Sequence, residues 1–260
     1  MPHLLEVLLS GIKLFVRNLK IVIPPIILSF MIYLFLAVGL ASVIPQEKLV
    51  ELEELAEKGE EQIIKEMYNI VMLNPVKFFI AFIIFGSIAF VSMIFIVAGM
   101  VGASLKIARF GTFTFNEFFY FGYIYTPRML ALELLISVAI LAASLPFLFL
   151  TGVMSSVVPV LISAAAIIVV AAITFPSRFI LIALDTGVFD ALAASIRFSF
   201  KKPSSLLVFL LTVVMVGLSS FVPLLQPFAF ALTSIWYAIL VASSISSAAP
   251  SSESSEGQPA

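Results

Sequence analysis

The stretch VKFFIAFIIFGSIAFVSMIFIVAGMVGASL, residues 76–105, decides the fold of this chain. Its only charged residue is Lys77, and everything that follows up to Leu105 is uncharged. About 20 apolar residues, at a rise of about 1.5 Å each, are enough to cross the hydrocarbon core of a bilayer. The stretch therefore predicts a membrane-spanning helix.

The same pattern recurs along the chain and predicts six spans. Of the 260 residues, 62% are hydrophobic and only 11% are charged, and the mean hydropathy is +1.20. Soluble domains have about 45–50% apolar and about 25% charged residues. We therefore predict an all-α polytopic membrane protein with amphipathic interfacial helices. The predicted spans are Ile21–Ile44, Val76–Leu105, Met129–Val153, Val157–Ala183, Leu206–Leu225 and Phe228–Ile245, the last two separated only by Gln226 and Pro227.

Charge is segregated between the two sides of these spans. Ten of the fourteen basic residues fall on the side of the N-terminus, while eight of the fifteen acids lie between Glu47 and Glu66 on the other side. The positive-inside rule then predicts cytoplasmic N- and C-termini in a multi-pass protein of the cell membrane. No continuous basic surface is predicted, which argues against a nucleic-acid partner. The ten are Lys13, Arg17, Lys20, Lys106, Arg109, Arg128, Arg178, Arg197, Lys201 and Lys202.

The acidic loop, residues 46–74, is predicted to be extracytoplasmic. Its apolar spacing describes two amphipathic helical pieces broken near Gly59. One interpretation is a solvated cap over the bundle, and the other is a surface that binds a protein partner or attracts cations. The tail, residues 247–260, is rich in serine and predicted to be disordered.

Three segments share a pattern of an acid, a small residue five positions later and a base eleven positions later. Eleven residues make about three helical turns, so acid and base fall on one stripe and apolar residues on the other. The pattern predicts three amphipathic helices in the interface. They would divide one membrane domain, 1–246, into units 1–110, 111–184 and 185–246. The three sets are Glu6, Gly11, Arg17; Glu117, Gly122, Arg128; and Asp190, Ser195, Lys201.

Some polar and small residues are singled out by their position. Glu133 is the one acid inside a span, and Arg178 lies at a similar depth in the next span. Ionisable groups in a membrane are costly, so we predict a structural ion pair between them. The alternatives are a proton- or substrate-handling role, or unpaired side chains that reach the interface. The small residues from Ala98 to Ser104 predict close helix packing, and Asp185 or Thr186 is the expected N-cap of the third amphipathic helix.

Catalytic and cofactor motifs find little support in the sequence. The chain has no cysteine, and its one histidine, His3, is near the N-terminus. Neither a metal site nor a phosphate-binding loop is predicted, and no cofactor is expected. Asp185-Thr186-Gly187 spells an aspartic-protease tripeptide, but that chemistry needs two carboxylates and the tripeptide occurs once. The prediction is that the protein is not an enzyme.

The run PSRFILIALDTGVFDALAASIRFSFKKPSSLLVFLL, residues 176–211, resembles a group of bacterial and archaeal membrane proteins. The group includes YciC-like proteins and the membrane domain fused to some glycerophosphodiester phosphodiesterases. The resemblance implies a six-span protein without the phosphodiesterase activity, which belongs to a separate soluble barrel. The matching positions are Asp185, Gly187, Ala191 or Ala194, Ser195, Arg197 and Lys201.

Two functions are predicted from this pattern. The first is a non-enzymatic membrane scaffold or partner protein linked to envelope lipid homeostasis, in contact with the bilayer and with a protein partner on the acidic loop. The alternative is a transporter of small solutes or lipids. Transport predicts a cavity near the midplane lined by Glu133, Ser137, Ser163 or Thr174, and a scaffold predicts a packed interior.

Overall fold

All regular structure in the described part of the chain is helical. A computed structural model describes residues 4–45, 48, 60–153, 157–222 and 225–246. No strand occurs in these ranges, which confirms the predicted all-α class. A short 3₁₀ helix, Leu19–Val22, joins the first two α-helices. The α-helices are α1 (Leu4–Arg17), α2 (Ile23–Ala41), α3 (Glu60–Leu73), α4 (Pro75–Phe110), α5 (Phe115–Val153), α6 (Val158–Thr174), α7 (Ser177–Ala183), α8 (Val188–Lys201), α9 (Pro203–Ser219) and α10 (Gln226–Ser246).

Five helical segments are long and apolar enough to cross a membrane. A sixth results if α8 and α9, which meet at an angle of 101°, count as one bent span. The predicted polytopic membrane fold is therefore confirmed, with five or six crossings among the described residues. The five segments are Leu19–Gly39, Pro75–Phe110, Phe115–Phe147, Val158–Ala183 and Gln226–Ile245.

The outer surface of these helices is apolar, as a lipid environment requires. Large side chains such as Phe149, Phe189 and Phe221 are 75%, 76% and 85% exposed. Soluble monomers rarely expose contiguous apolar patches of more than a few hundred Å². Hydrocarbon tails would cover such side chains without the free-energy cost that water imposes.

The last two predicted spans have different ends in the structure. α9 stops at Ser219 instead of Leu225, and it has 17 residues. α10 already begins at Gln226, so Gln226 and Pro227 are its first turn and not the link between the spans. Proline is tolerated there because the first N–H groups of a helix have no partner within it. The predicted link at 154–156 and the tail at 247–260 lie outside the described residues.

The second repeat segment is not a separate interfacial helix. Residues 116–128 run without a break into the predicted third span as the 39-residue helix α5, which contains Pro127 and Pro146. At about 1.5 Å per residue the helix is about 58 Å long, well beyond a hydrocarbon core of about 30 Å. Prolines inside membrane helices are tolerated where neighbours satisfy the freed carbonyls. The sequence pattern carried no signal for the continuity of this segment with the span.

The turn between α4 and α5 is fixed by specific hydrogen bonds. Gly111 has a φ of +77°, a conformation that glycine adopts without strain. The buried Asn18 amide donates to the Gly111 carbonyl at 3.0 Å and to the Leu14 carbonyl at 2.9 Å. At the start of α5, the Thr114 N–H donates to Glu117 Oε2 at 2.8 Å, and the Glu117 N–H donates to Thr114 Oγ1 at 3.4 Å. This reciprocal capping box defines where α5 begins.

The chain divides into two compact units, Ile26–Ile94 and the combination of Met1–Pro25 with Phe95–Ala260. In the smaller unit, Phe35 and Phe85 pack edge to face with ring centroids 5.2 Å apart. Its helix α3 begins at Glu60, directly after Gly59, where the second amphipathic piece was predicted. The first piece lies in residues that the structure does not describe, apart from Lys48. The division into units 1–110, 111–184 and 185–246 stays a prediction.

Candidate functional site

The structure brings together the two charged side chains that the sequence placed inside the spans. Arg178 Nη2 donates to Glu133 Oε2 at 2.7 Å, and Arg178 Nε donates to Glu133 Oε1. Both side chains are only 18% exposed. Two parallel N–H···O bonds between a guanidinium and a carboxylate are the strongest arrangement that such a pair can adopt.

A break in the helix places Arg178 in position. α6 ends at Thr174 and α7 starts at Ser177, with Pro176 between them. Proline has no N–H to continue the helical bonds, and one such bond is missing at this break. Arg178 is therefore in the first turn of α7, and it reaches across to Glu133 on α5. The pair ties two neighbouring elements together.

An aromatic cluster covers the guanidinium. Arg178 Cζ lies 5.0 Å from the centre of the Phe175 ring, within the range of a cation–π contact. The Tyr237 ring is 4.6 Å from Phe175 and 5.5 Å from Phe179. The buried Tyr237 hydroxyl donates to the Ser205 carbonyl at 2.7 Å. These rings exclude solvent from one side of the pair, which strengthens its electrostatic attraction.

This arrangement is suited to holding helices together. Each Glu133 oxygen accepts a hydrogen bond from Arg178, so the carboxylate is committed to a permanent cation. Opposite charges inside a membrane commonly pair with one another, and this satisfies both of them. The geometry of the pair therefore favours the structural interpretation over the proton-handling one.

A second group of polar side chains, Asp185, Arg128 and Tyr125, meets at the turn after α7. The sequence analysis did not predict these contacts. Asp185 has a φ of +50°, the left-handed region that non-glycine residues seldom adopt. Its Oδ1 accepts from Arg128 Nη1 at 2.6 Å and from the Tyr125 hydroxyl at 3.1 Å. The Thr186 N–H donates to the Leu181 carbonyl at 3.3 Å, which closes the end of α7. The available signal was that Arg128 and Asp185 both fall on the predicted cytoplasmic side.

The predicted N-cap of the third amphipathic helix is wrong. Gly187, not Asp185 or Thr186, stands at the N-cap of α8, and no side chain bonds to the helix end there. Asp185 cannot cap α8 because its carboxylate is turned toward Arg128 and Tyr125 on α5. Its role is to join the end of α7 to α5.

The strain at Asp185 leads to a testable order of stabilities. A non-glycine residue in the left-handed region costs about 1–2 kcal/mol. We expect Asp185→Ala to lose the bonds to Arg128 and Tyr125 and to keep this cost, whereas Asp185→Gly loses the bonds and relieves it. Asp185→Gly should therefore be the more stable variant by about 1 kcal/mol in detergent unfolding. Equal stability of the two would show that the turn is not strained.

The small residues of the three repeat copies occupy equivalent buried positions. Gly11 and Gly122 are buried on α1 and α5, and Ser195 is buried on α8. A Cβ on Gly11 would lie 2.6 Å from Trp236 Nε1, and one on Gly122 would lie 2.7 Å from Phe95 Cζ. The Ser195 hydroxyl donates to the Ile173 carbonyl at 2.7 Å. The residue after each leading acid is also buried: Val7, Phe118 and Ala191.

Each amphipathic segment thus packs on the bundle through a narrow face that contains one of these small residues. Apolar residues on the stripe opposite the acid and base point outward, with Leu5 on α1 67% exposed and Phe200 on α8 75% exposed. The acid and base of the second copy bind other partners, since Glu117 pairs with Lys106 at 3.4 Å and Arg128 pairs with Asp185. In the other two copies Arg17 is exposed, and Asp190 and Lys201 line a cavity described below.

Gly11→Ala tests the close approach of α1 to Trp236. The indole N–H donates to the Leu8 carbonyl at 3.1 Å, so the ring cannot move aside without losing this bond. We expect the variant to lose about 2 kcal/mol of stability, as overpacked sites do. Trp236 is the only tryptophan, so its fluorescence emission should also shift to longer wavelength. Gly217→Ala is the control, because no described atom lies within 4 Å of a Cβ at Gly217; a similar loss there would contradict the packing argument.

No family model matches the chain, and neither a curated protein nor a solved structure matches it. The residues themselves therefore carry the functional inference. They provide a shielded ion pair, a strained turn held by Arg128 and three close-packing positions.

Proposed function

We propose that this is a non-enzymatic membrane scaffold or partner protein linked to envelope lipid homeostasis. The observation that carries the proposal is the Glu133–Arg178 pair, in which the charges inside the helical bundle neutralise each other between α5 and α7. A transport path would use such charges to contact a solute, and here they contact each other. The resemblance to YciC-like proteins and to the phosphodiesterase membrane domain remains part of this proposal.

The other residues expected along a transport path do not converge. Ser137 is exposed on the outside of α5, while Ser163 is buried on α6. The Thr174 hydroxyl donates to the Val170 carbonyl of its own helix at 2.8 Å. A cavity of about 310 Å³ between α6, α8 and α9 is lined by other residues that are nearly all apolar, among them Ile173 and Phe209. These features support a packed interior.

A transporter of lipids or small solutes is the second candidate. It is favoured by a larger cavity of about 690 Å³, whose lining includes Arg197 and Lys201. Both candidates share the proposed orientation, with the N- and C-termini in the cytoplasm and residues 46–74 outside. Within that loop we propose a site for a protein partner. Lys48, α3 and Asn74 are the parts of the loop that belong to the described residues.

Reconstitution separates the two candidates. We expect vesicles that contain the purified protein to move fluorescent phospholipids between leaflets no faster than protein-free vesicles do. Faster movement, or uptake of a solute, would replace the scaffold proposal by the transporter. A vesicle population with a known lipid scramblase provides the positive control.

Site-specific photo-crosslinking in native membranes tests the partner. A photoreactive residue at the exposed Lys65 of α3 should yield a discrete crosslinked protein. The same residue at the exposed Thr112, between α4 and α5, is the control. Neutralising Glu60, Glu61 and Glu66 together should abolish the product at Lys65. Identical products at both positions would mean that no partner recognises the acidic loop.

A further inference from the structure

The larger cavity is built from the ends of three elements. It has a volume of about 690 Å³ and lies between α7, α8 and the last turns of α10. Ile180, Val241 and Ile245 form much of its apolar wall. Three charged side chains also line it, namely Asp190, Arg197 and Lys201. The cavity therefore combines an apolar wall with a charged region, which is the combination that an amphiphilic ligand needs for binding.

The two bases are adjacent on α8. Arg197 and Lys201 are four residues apart, so they lie one above the other on one face of the helix. Both are exposed, and no acid of the described residues forms an ion pair with either of them. A third base, Lys202, donates to the hydroxyl of Ser244, which also lines the cavity. Positive charge thus accumulates at this end of the cavity.

The one acid of the cavity is placed at its other end. Asp190 precedes Arg197 by seven residues, which is about 10 Å along the helix axis. It lies in the first turn of α8, where the helix dipole favours a negative charge. An anion is therefore attracted to the part of the cavity near Arg197 and Lys201 and repelled from the part near Asp190.

We propose that this cavity binds one anionic phospholipid. Its phosphate would lie on Arg197 and Lys201, and an acyl chain would follow the wall of Ile180, Val241 and Ile245. Basic pockets between membrane helices bind anionic headgroups on the cytoplasmic side, where the charge pattern places these bases. This site rests on the proposed membrane insertion and on the proposed cytoplasmic side of the N-terminus. It holds for a scaffold and for a transporter alike.

Lipid titration of the full chain in a mild non-ionic detergent tests the site. Dioleoylphosphatidylglycerol is added, and native mass spectrometry reads the apparent Kd of the first bound lipid. We expect Arg197→Gln with Lys201→Gln to weaken binding about thirtyfold, since each base contributes about fivefold near an anionic group. Dioleoylphosphatidylcholine, whose headgroup has no net charge, should bind weakly to the parent protein and to the double variant.

A matched control exists on α1. Lys13 and Arg17 have the same four-residue spacing and are both exposed. Lys13→Gln with Arg17→Gln removes the same charge and should leave the Kd within about twofold, because neither residue lines the cavity. Equal weakening by the two double variants would mean a diffuse electrostatic attraction and would overturn the proposal.

Two further variants probe the charge and the wall. Asp190→Asn should tighten phosphatidylglycerol binding by removing a repulsive charge. Ala194→Phe should weaken it without changing any charge, because the added ring fills the cavity. If the parent protein bound phosphatidylglycerol more tightly than Asp190→Asn does, the phosphate would lie elsewhere. That result would overturn its assignment to Arg197 and Lys201.

The same headgroup chemistry occurs in soluble phosphate esters. Glycerol 3-phosphate is therefore added as a competitor at the concentrations used for the lipid. We expect glycerol 3-phosphate not to displace the lipid, because it lacks an acyl chain that would pack along the apolar wall. Displacement of the lipid at equal concentration would identify a site for a soluble phosphate and would overturn the proposed lipid site.

Discussion

Glu133→Ala should lower the stability of this protein by about 3 kcal/mol, the low end of the range for breaking a buried ion pair. The change leaves Arg178 without its bidentate partner beside the Phe175 ring. Part of the cost is recovered because a long cationic side chain can extend toward the interface. Reversible unfolding in mixed micelles with increasing SDS measures the loss.

Two further variants show whether the loss of stability comes from breaking the buried pair. Arg128→Gln breaks an exposed pair, with side chains 48% and 67% exposed, and should cost less than about 1 kcal/mol. Glu133→Leu combined with Arg178→Leu removes both charges and should recover most of the stability, because apolar replacements of buried pairs are often neutral. If Glu133→Ala cost no more than Arg128→Gln, the pair would not be what joins α5 to α7.

Gly102→Leu should cost about 3 kcal/mol, at the upper end for overpacking a helix contact. A Cβ at Gly102 would lie 2.5 Å from Phe121 Cβ and 2.6 Å from Phe121 Cδ2. Phe121 Cβ is bonded directly to the backbone of α5, so a rotamer change cannot remove the clash. One turn earlier, a Cβ at Gly99 would lie 2.8 Å from the Phe118 carbonyl oxygen. The two helices would have to separate.

Gly86→Leu is the control for this variant on the same helix. No described atom lies within 4 Å of a Cβ at Gly86. Leucine is a better helix former than glycine by up to about 1 kcal/mol, so this variant should be as stable as the parent or more stable. The same SDS unfolding experiment compares the two. Equal losses at Gly86 and Gly102 would indicate a general intolerance of α4 and not a specific contact.

The Glu133–Arg178 pair shows how a site can be predicted from sequence. A charge inside an apolar span has so few acceptable surroundings that a second charge at matching depth is the natural partner. The small residues from Ala98 to Ser104 predict close packing for a similar reason, since membrane helices approach through residues without bulky side chains. Gly99 and Gly102 make that approach to Phe118 and Phe121.

The Asp185 turn shows what could not be predicted in this way. Tyr125 and Asp185 are 60 residues apart, and no periodicity links them. The left-handed φ of Asp185 results from the way α7 ends, and a tripeptide read in isolation suggests a helix start instead. Likewise, the leucine-rich α1 sequence does not reveal that Gly11 faces Trp236. That contact depends on α10, which lies more than 200 residues later in the sequence.

The sequence alone determined that the spans of this protein face lipid and that its fold is all-α. Hydropathy and helical periodicity are local properties, and a run such as residues 76–105 satisfies its backbone hydrogen bonds within one helix whatever surrounds it. Only the tertiary structure decided that α5 continues through the second repeat, that Asp185 binds Arg128, and that Arg197 and Lys201 border a cavity. These features depend on the approach of helices distant in sequence. Local composition and spacing do not relate residues that are so far apart along the chain.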